Sequence, residues 1–201
     1  MVDWKSQPTV MARIRKIAQH EIGHWLMFER QGFRAGDITV VITDPVRGHR
    51  AEAPVTLLES HTTLDAVESY LRRRILVLFA GSLAESIGAN GLLDLSYAIQ
   101  ELHSGGATDD FKGVRELLRV LRGIRCALPT SEEEHEQQLR TLQDELWDSA
   151  ATLVLEDSEL IRGLAMNIAG RFSTLNAKFG ITSPELKSLP AVSQWLSQLA
   201  R

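Results

Sequence analysis

"AQHEIGHWLMFER", residues 18–30, is the stretch on which the rest of the chain turns. His20, Glu21 and His24 follow the pattern His-Glu-x-x-His, and from Ile22 to Phe28 every residue except the second histidine is apolar or glycine. Residues four apart on an α-helix sit one turn apart and about 40° round the axis, so both imidazoles can reach one ion. Zinc takes neutral imidazole nitrogens at about 2.0–2.1 Å, and a catalytic zinc keeps one position for water. A carboxylate beside the first histidine reaches that water rather than the metal, which is the place of a general base. The apolar neighbours predict a buried turn. Burying two histidines and a glutamate without partners is costly, and a metal ion satisfies all three. The expectation is a zinc-binding helix with His20 and His24 as ligands and Glu21 as the catalytic base.

Outward from this stretch, Met11, Ile14, Ala18, Trp25 and Phe28 recur at helical spacing, which predicts a first helix over about residues 9–31 with Gly32 as its stop. "DITVVIT", residues 37–43, is β-branched and bounded by Gly36 and Asp44-Pro45, a strand signal. The turn-rich "PVRGHRAEAPV" follows, as a short second strand or an extended loop. Thr62 with Asp65 suggests a capping box for a long helix from about Thr63 to Ile87, ended by "GANG". "DLSYAIQELH" reads as another helical piece, and a glycine hinge precedes a helix from about Thr108. Ser131 with Glu134 opens a helix through about Leu155, Ser158 starts another, and Ser183-Pro184-Glu185 starts the last, so the final third reads as wholly helical. The fold expected is mainly α, with a small β-sheet between the first two long helices. It forms one domain over 1–201, with a zinc-site core over about 1–125 and a C-terminal helical bundle over about 130–201.

Composition narrows the function. The 201 residues are long enough for a real core. With 44% hydrophobic and 24% charged residues the chain is ordinary for a globular protein, and a net charge of −4 gives no footprint for nucleic acid. Arg72, Arg73 and Arg74 read as a solvated helix face, as does "EEEHEQQ". One cysteine, Cys126, allows neither an intramolecular disulfide nor a multi-cysteine zinc site, and reads as an inert small apolar residue. Trp4, Trp25, Trp147 and Trp195 read as core or interface residues. No signal peptide is recognised, and the longest apolar stretch, "ILVLFAGSLAESIGA", is interrupted by Glu85 and too short to span a bilayer, so a cytoplasmic chain without a membrane span is expected.

The zinc reading needs a third protein ligand. Glu85 lies inside an apolar helix, Asp109 and Asp110 lie at a helix start, and His103 precedes the glycines. The acidic pair also has a bland role, compensating the helix dipole. "HEIGH", "LFAGSLAESI" and "GATDDFKGVRELLR" together resemble three successive motifs of the peptidase domain of FtsH-type ATP-dependent zinc metalloproteases. Gly81, Ala84 and Glu85 fall on the second motif, and Gly106, Ala107 and Asp110 on the third. "VVITDPVRGH" resembles the strand and arginine-glycine turn between the family's first two helices. The resemblance covers about residues 10–123. It implies Asp110 as third zinc ligand, with Glu85 orienting a ligand histidine; a glutamate from a later helix is the ligand in other zinc peptidases, which keeps Glu85 as the alternative.

A peptidase must also hold an extended peptide, commonly on an exposed strand edge. Ile38, Thr39, Val40, Val41 and Ile42 are the candidate substrate edge strand. No Gly-x-x-x-x-Gly-Lys-Ser/Thr loop occurs, so the expected activity is a zinc-dependent metalloendopeptidase acting on a polypeptide substrate without an ATPase of its own, as a homo-oligomer or with a separate ATPase partner. The competing readings are a metal-stabilised binding or regulatory module without peptidase activity, and a metal-free helical protein.

Overall fold

In the computed structural model, which describes residues 4–46, 48–56 and 58–200, a short 3-10 turn (Trp4–Ser6) leads into α1 (Pro8–Arg30). Proline stands at the first helical position, where its missing N–H is no loss. Every residue from Ala18 to Phe28 is buried, so most of the surface of the stretch that carries the histidines is covered. The helix ends in a Schellman turn: the N–H of Phe33 donates to the Phe28 carbonyl, that of Gly32 (φ 77°) to Glu29, and the Phe28 and Phe33 rings meet edge to face.

β1 (Arg34–Ala35), β2 (Ile38–Ile42), β3 (His49–Glu52) and β4 (Val55–Thr56) follow. The segment after β2 therefore holds two short strands; Arg47, in the arginine-glycine turn singled out above, lies outside the described residues. α2 (Leu64–Glu85) begins one residue later than the capping reading placed it. Thr63, not Thr62, is the cap, and its hydroxyl accepts from Ala66 N–H. Asp65 then serves the helix dipole rather than a reciprocal box. α3 (Leu95–Ser104), α4 (Thr108–Arg125), α5 (Glu132–Glu156) and α6 (Ser158–Gly170) complete the helical body. Ser131 caps α5 as expected, but the Glu134 carboxylate reaches the Thr130 N–H and hydroxyl.

The final third is not wholly helical. After α6 comes β5 (Lys178–Ile181), then α7 (Ser183–Ser188) and α8 (Pro190–Leu199). Pro190 breaks the expected last helix in two, because the residue before a proline is pushed to extended backbone, as Leu189 is (ψ 132°). β5 pairs antiparallel with β2 on the side opposite β3, giving the order β3-β2-β5, while β1 pairs with β4. Gly180 makes this pairing possible. It lies opposite Thr39 at φ 154°, and a Cβ there would stand 2.0 Å from the Ile38 carbonyl oxygen. The fold is mainly α with a small antiparallel sheet, as expected, but the sheet takes its third strand from near the C-terminus.

The core gathers round α1, whose main partners are α2 and α6; α2 also carries α4 and α5. α1 and α2 approach closely because Gly23 faces Ala80 and Ala84: a Cβ on Gly23 would meet the Ala84 Cβ at 2.4 Å. Trp25, Phe79 and Phe172 are among the largest fully buried side chains. The three arginines of α2 do not form a solvated face. Arg72 pairs with Glu145 of α5, Arg73 with Glu59 and the Gln31 carbonyl, and Arg74 lies over Phe28. Among the described residues no helix is long and apolar enough to cross a membrane.

Candidate metal centre

Three helices deliver the site. α1 presents His20, Glu21 and His24 on consecutive turns; α2 passes across their faces at Gly81; α4 starts with Asp110 in its first turn. The hinge before α4 is held by Glu101, whose carboxylate accepts from Gly106 N–H at 2.8 Å.

His20 Nε2 lies 3.0 Å from His24 Nε2 and 3.1 Å from Asp110 Oδ2, and His24 Nε2 lies 3.3 Å from the same oxygen. The far side of each ring is already committed. His24 Nδ1 is 2.8 Å from the Val77 carbonyl oxygen, which can only accept, so Nδ1 carries the proton. His20 Nδ1 is 3.2 Å from Glu85 Oε2 and donates to that carboxylate. In the neutral rings both Nε2 atoms therefore present lone pairs to each other and to a carboxylate oxygen. With both rings neutral three acceptors converge with no donor between them; a proton on His20 Nε2, donated to Asp110, relieves this in the metal-free chain, and a shared metal ion would replace it. Around a tetrahedral zinc with bonds of about 2.0–2.2 Å, neighbouring ligand atoms stand roughly 3.4 Å apart; the near-equilateral triangle seen here is that shape, slightly contracted. His20, His24 and Asp110 are thus a group that could hold a metal, and the donor set of two imidazoles and a carboxylate suits zinc.

The surrounding charges agree with a cation site. Burial works against a charged His20, but hydrogen bonds to Asp110 and Glu85 and the nearby Glu21 outweigh it and hold its pKa well above the ordinary value. Burial would raise Asp110, yet the two imidazoles keep it far below the usual carboxylate range. Glu85 is likewise lowered against its burial, by His20, Tyr97 and Lys16. Its second oxygen accepts from Tyr97 OH at 2.9 Å, and Lys16 donates to its backbone carbonyl at 2.7 Å. Glu21 differs from all of these. It is only 7% exposed, its pKa is raised chiefly by burial, and among the described residues nothing donates a hydrogen bond to it.

His20, Glu21, His24 and Asp110 come together. Glu85 meets the outer nitrogen of His20 and not the converging triangle, so it orients a ring. Asp109 points into solvent, its side chain 91% exposed and bonded to Lys112. His103 meets the Phe111 ring edge to face. The assignment of Ile38, Thr39, Val40, Val41 and Ile42 as a substrate edge is overturned: β2 is the central strand, and β3 and β5 occupy both its edges. Its alternation, with Ile38, Val40 and Ile42 buried, reports a packed face and says nothing of an open edge. The strand of the three-stranded sheet that lines the site is β3, joined there by Val55 of β4. It bounds a cleft of about 1040 Å³ that also contains His20, Glu21, His24 and Asp110. Tyr97, the Val77 carbonyl and Lys16 were missed. A carbonyl has no sequence signature, and only the folded α3 brings Tyr97 to Glu85.

Compared with protein-family models, curated proteins and solved structures, the chain matches none.

Proposed function

We propose that the chain is a zinc-dependent metalloendopeptidase, with His20, His24 and Asp110 as metal ligands and Glu21 as general base. The observation that carries this reading is the convergence of three lone-pair atoms beside a buried, unpartnered carboxylate at the wall of a large cleft. Bound zinc supplies Lewis-acid polarisation of a carbonyl and acidification of a water. Glu21 takes the proton from the attacking water and returns it to the leaving amine; a carboxylate with a pKa raised by burial is suited to both transfers. Glu85, steadied by Tyr97 and Lys16, holds the His20 ring so that Nε2 faces inward. β3 is paired on one side only among the described residues, and its other edge is where an extended peptide would add as a strand. The resemblance to the FtsH-type peptidase domain supports the same ligand set, because Asp110 stands at the matching position of its third motif.

A Glu21→Gln variant tests the reading, with casein as substrate and metal analysis alongside. It should keep zinc at the wild-type level while hydrolysis falls by about 10²–10⁴-fold. Undiminished hydrolysis by the variant would remove Glu21 from the mechanism. Zinc bound by both proteins with hydrolysis by neither would favour a metal-stabilised binding module.

A further inference from the structure

Of the cationic side chains that line the cleft, two are engaged. Arg13 donates to the Asp44 carbonyl and lies 3.2 Å from His49 Nδ1. Lys16 holds the Glu85 carbonyl and lies over the Tyr97 ring. Arg74 has no such partner. Its neighbours Arg72 and Arg73 each pair with a glutamate, but among the described residues no carboxylate or carbonyl meets Arg74. Its Nη1 is cut off from solvent with its hydrogens unsatisfied. The guanidinium carbon lies over two aromatic rings, 5.4 Å from the Phe28 centroid and 6.0 Å from that of Phe33. It stands one helical turn before Val77, whose carbonyl fixes His24, and lines the same cleft.

A buried Nη1 without an acceptor is unfavourable in the free protein, since an unmet donor keeps its full desolvation penalty. Stacking on aromatic faces recovers part of this but supplies no acceptor. A planar fork of N–H groups, with one nitrogen buried without an acceptor and the side chain lining a peptide-sized cleft, suits a carboxylate. We infer that Arg74 is a recognition residue for a peptide carboxylate bound about one helical turn from the metal ligands, along the groove between α2 and β3. The carboxylate is either an acidic side chain or the free C-terminus of the peptide. This rests on the metallopeptidase reading for the nature of the ligand, though not for the binding itself.

The test measures binding by fluorescence anisotropy, with zinc-loaded full-length Glu21→Gln protein so that peptides stay intact. Three labelled eight-residue peptides share a neutral sequence: one with a free C-terminal carboxylate, one amidated with an internal glutamate, one amidated with glutamine instead. One carboxylate peptide should bind at least about tenfold more tightly than the neutral one, and which one identifies the source of the carboxylate. Adding Arg74→Met should erase this preference and leave affinity for the neutral peptide unchanged. Arg74→Lys, which keeps the charge and loses the fork, should retain part of it. The melting temperature of Arg74→Met should not fall. Equal affinity for all three peptides, or a preference that survives in Arg74→Met, overturns the inference; a survivor of that kind would be a carboxylate held by the metal. Casein hydrolysis by the wild-type chain reports separately on the metallopeptidase reading, so either can fail alone.

Discussion

The two Nε2 atoms of His20 and His24, 3.0 Å apart, owe their orientation to the Glu85 carboxylate and the Val77 carbonyl on their outer sides. Removing the first of these controls should loosen the ion without touching a ligand. Glu85→Gln is expected to weaken zinc binding by about 10–100-fold, measured by competition with a chromophoric chelator, with hydrolysis restored at saturating zinc. Unchanged affinity would mean that the ring needs no such support. The same residues set a pH dependence. In the metal-free chain the His20 pKa is raised above its usual value, so its protonated form contributes stability that is complete below the unfolded value near 6.5 and is lost as pH rises through the folded one. Zinc requires that proton to leave. The gain in melting temperature from a fixed free zinc concentration should therefore grow between about pH 6 and pH 8, and calorimetry showing a shrinking gain would contradict the assignment.

At the level of elements, the site depends on how closely α2 lies against α1. A Cβ on Gly81 would stand 2.5 Å from His24 Nε2 and 2.6 Å from His20 Nε2. Gly81→Ala should consequently displace both imidazoles, lower stability by about 1–3 kcal/mol and abolish tight zinc binding, as read by chemical denaturation and metal analysis. Wild-type affinity in this variant would show that the helices have slack. The helices were legible in the sequence for a related reason: α1, α2, α4 and α5 are long, and their apolar spacing or caps are local features. The pairing of β2 was not. "ITVVI" signals a strand with one buried face, but which edges are covered depends on "KFGI" some 140 residues later, four residues with weak strand character and a glycine in their midst. The pattern therefore points to β2 as the edge, whereas β3, whose "HRAE" carries no apolar alternation, is the strand beside the cleft. Asp110 could be separated from Asp109 only through a resemblance. In the structure the difference is one of helical phase: one carboxylate turns inward and its neighbour, about 100° further round, meets solvent.

Across the whole molecule, the half that carries the candidate metal site and the C-terminal half interlock: β5 completes the sheet beside β2, and α6 packs against α1. A chain ended after Gly170 would uncover the β2 edge, and an unpaired strand edge invites association. It should be aggregated in size-exclusion chromatography and fail to bind zinc, whereas a monomeric, zinc-competent 1–170 fragment would show that the halves are independent. All of these expectations descend from one claim, that α1 and α4 jointly grip a single ion. Equilibrium dialysis against micromolar zinc followed by metal analysis tests it most directly, with wild type compared to Asp110→Ala. One zinc per wild-type chain is expected, with a large loss in the variant. Wild-type protein that retains no zinc, or an Asp110→Ala chain that retains all of it, would contradict it.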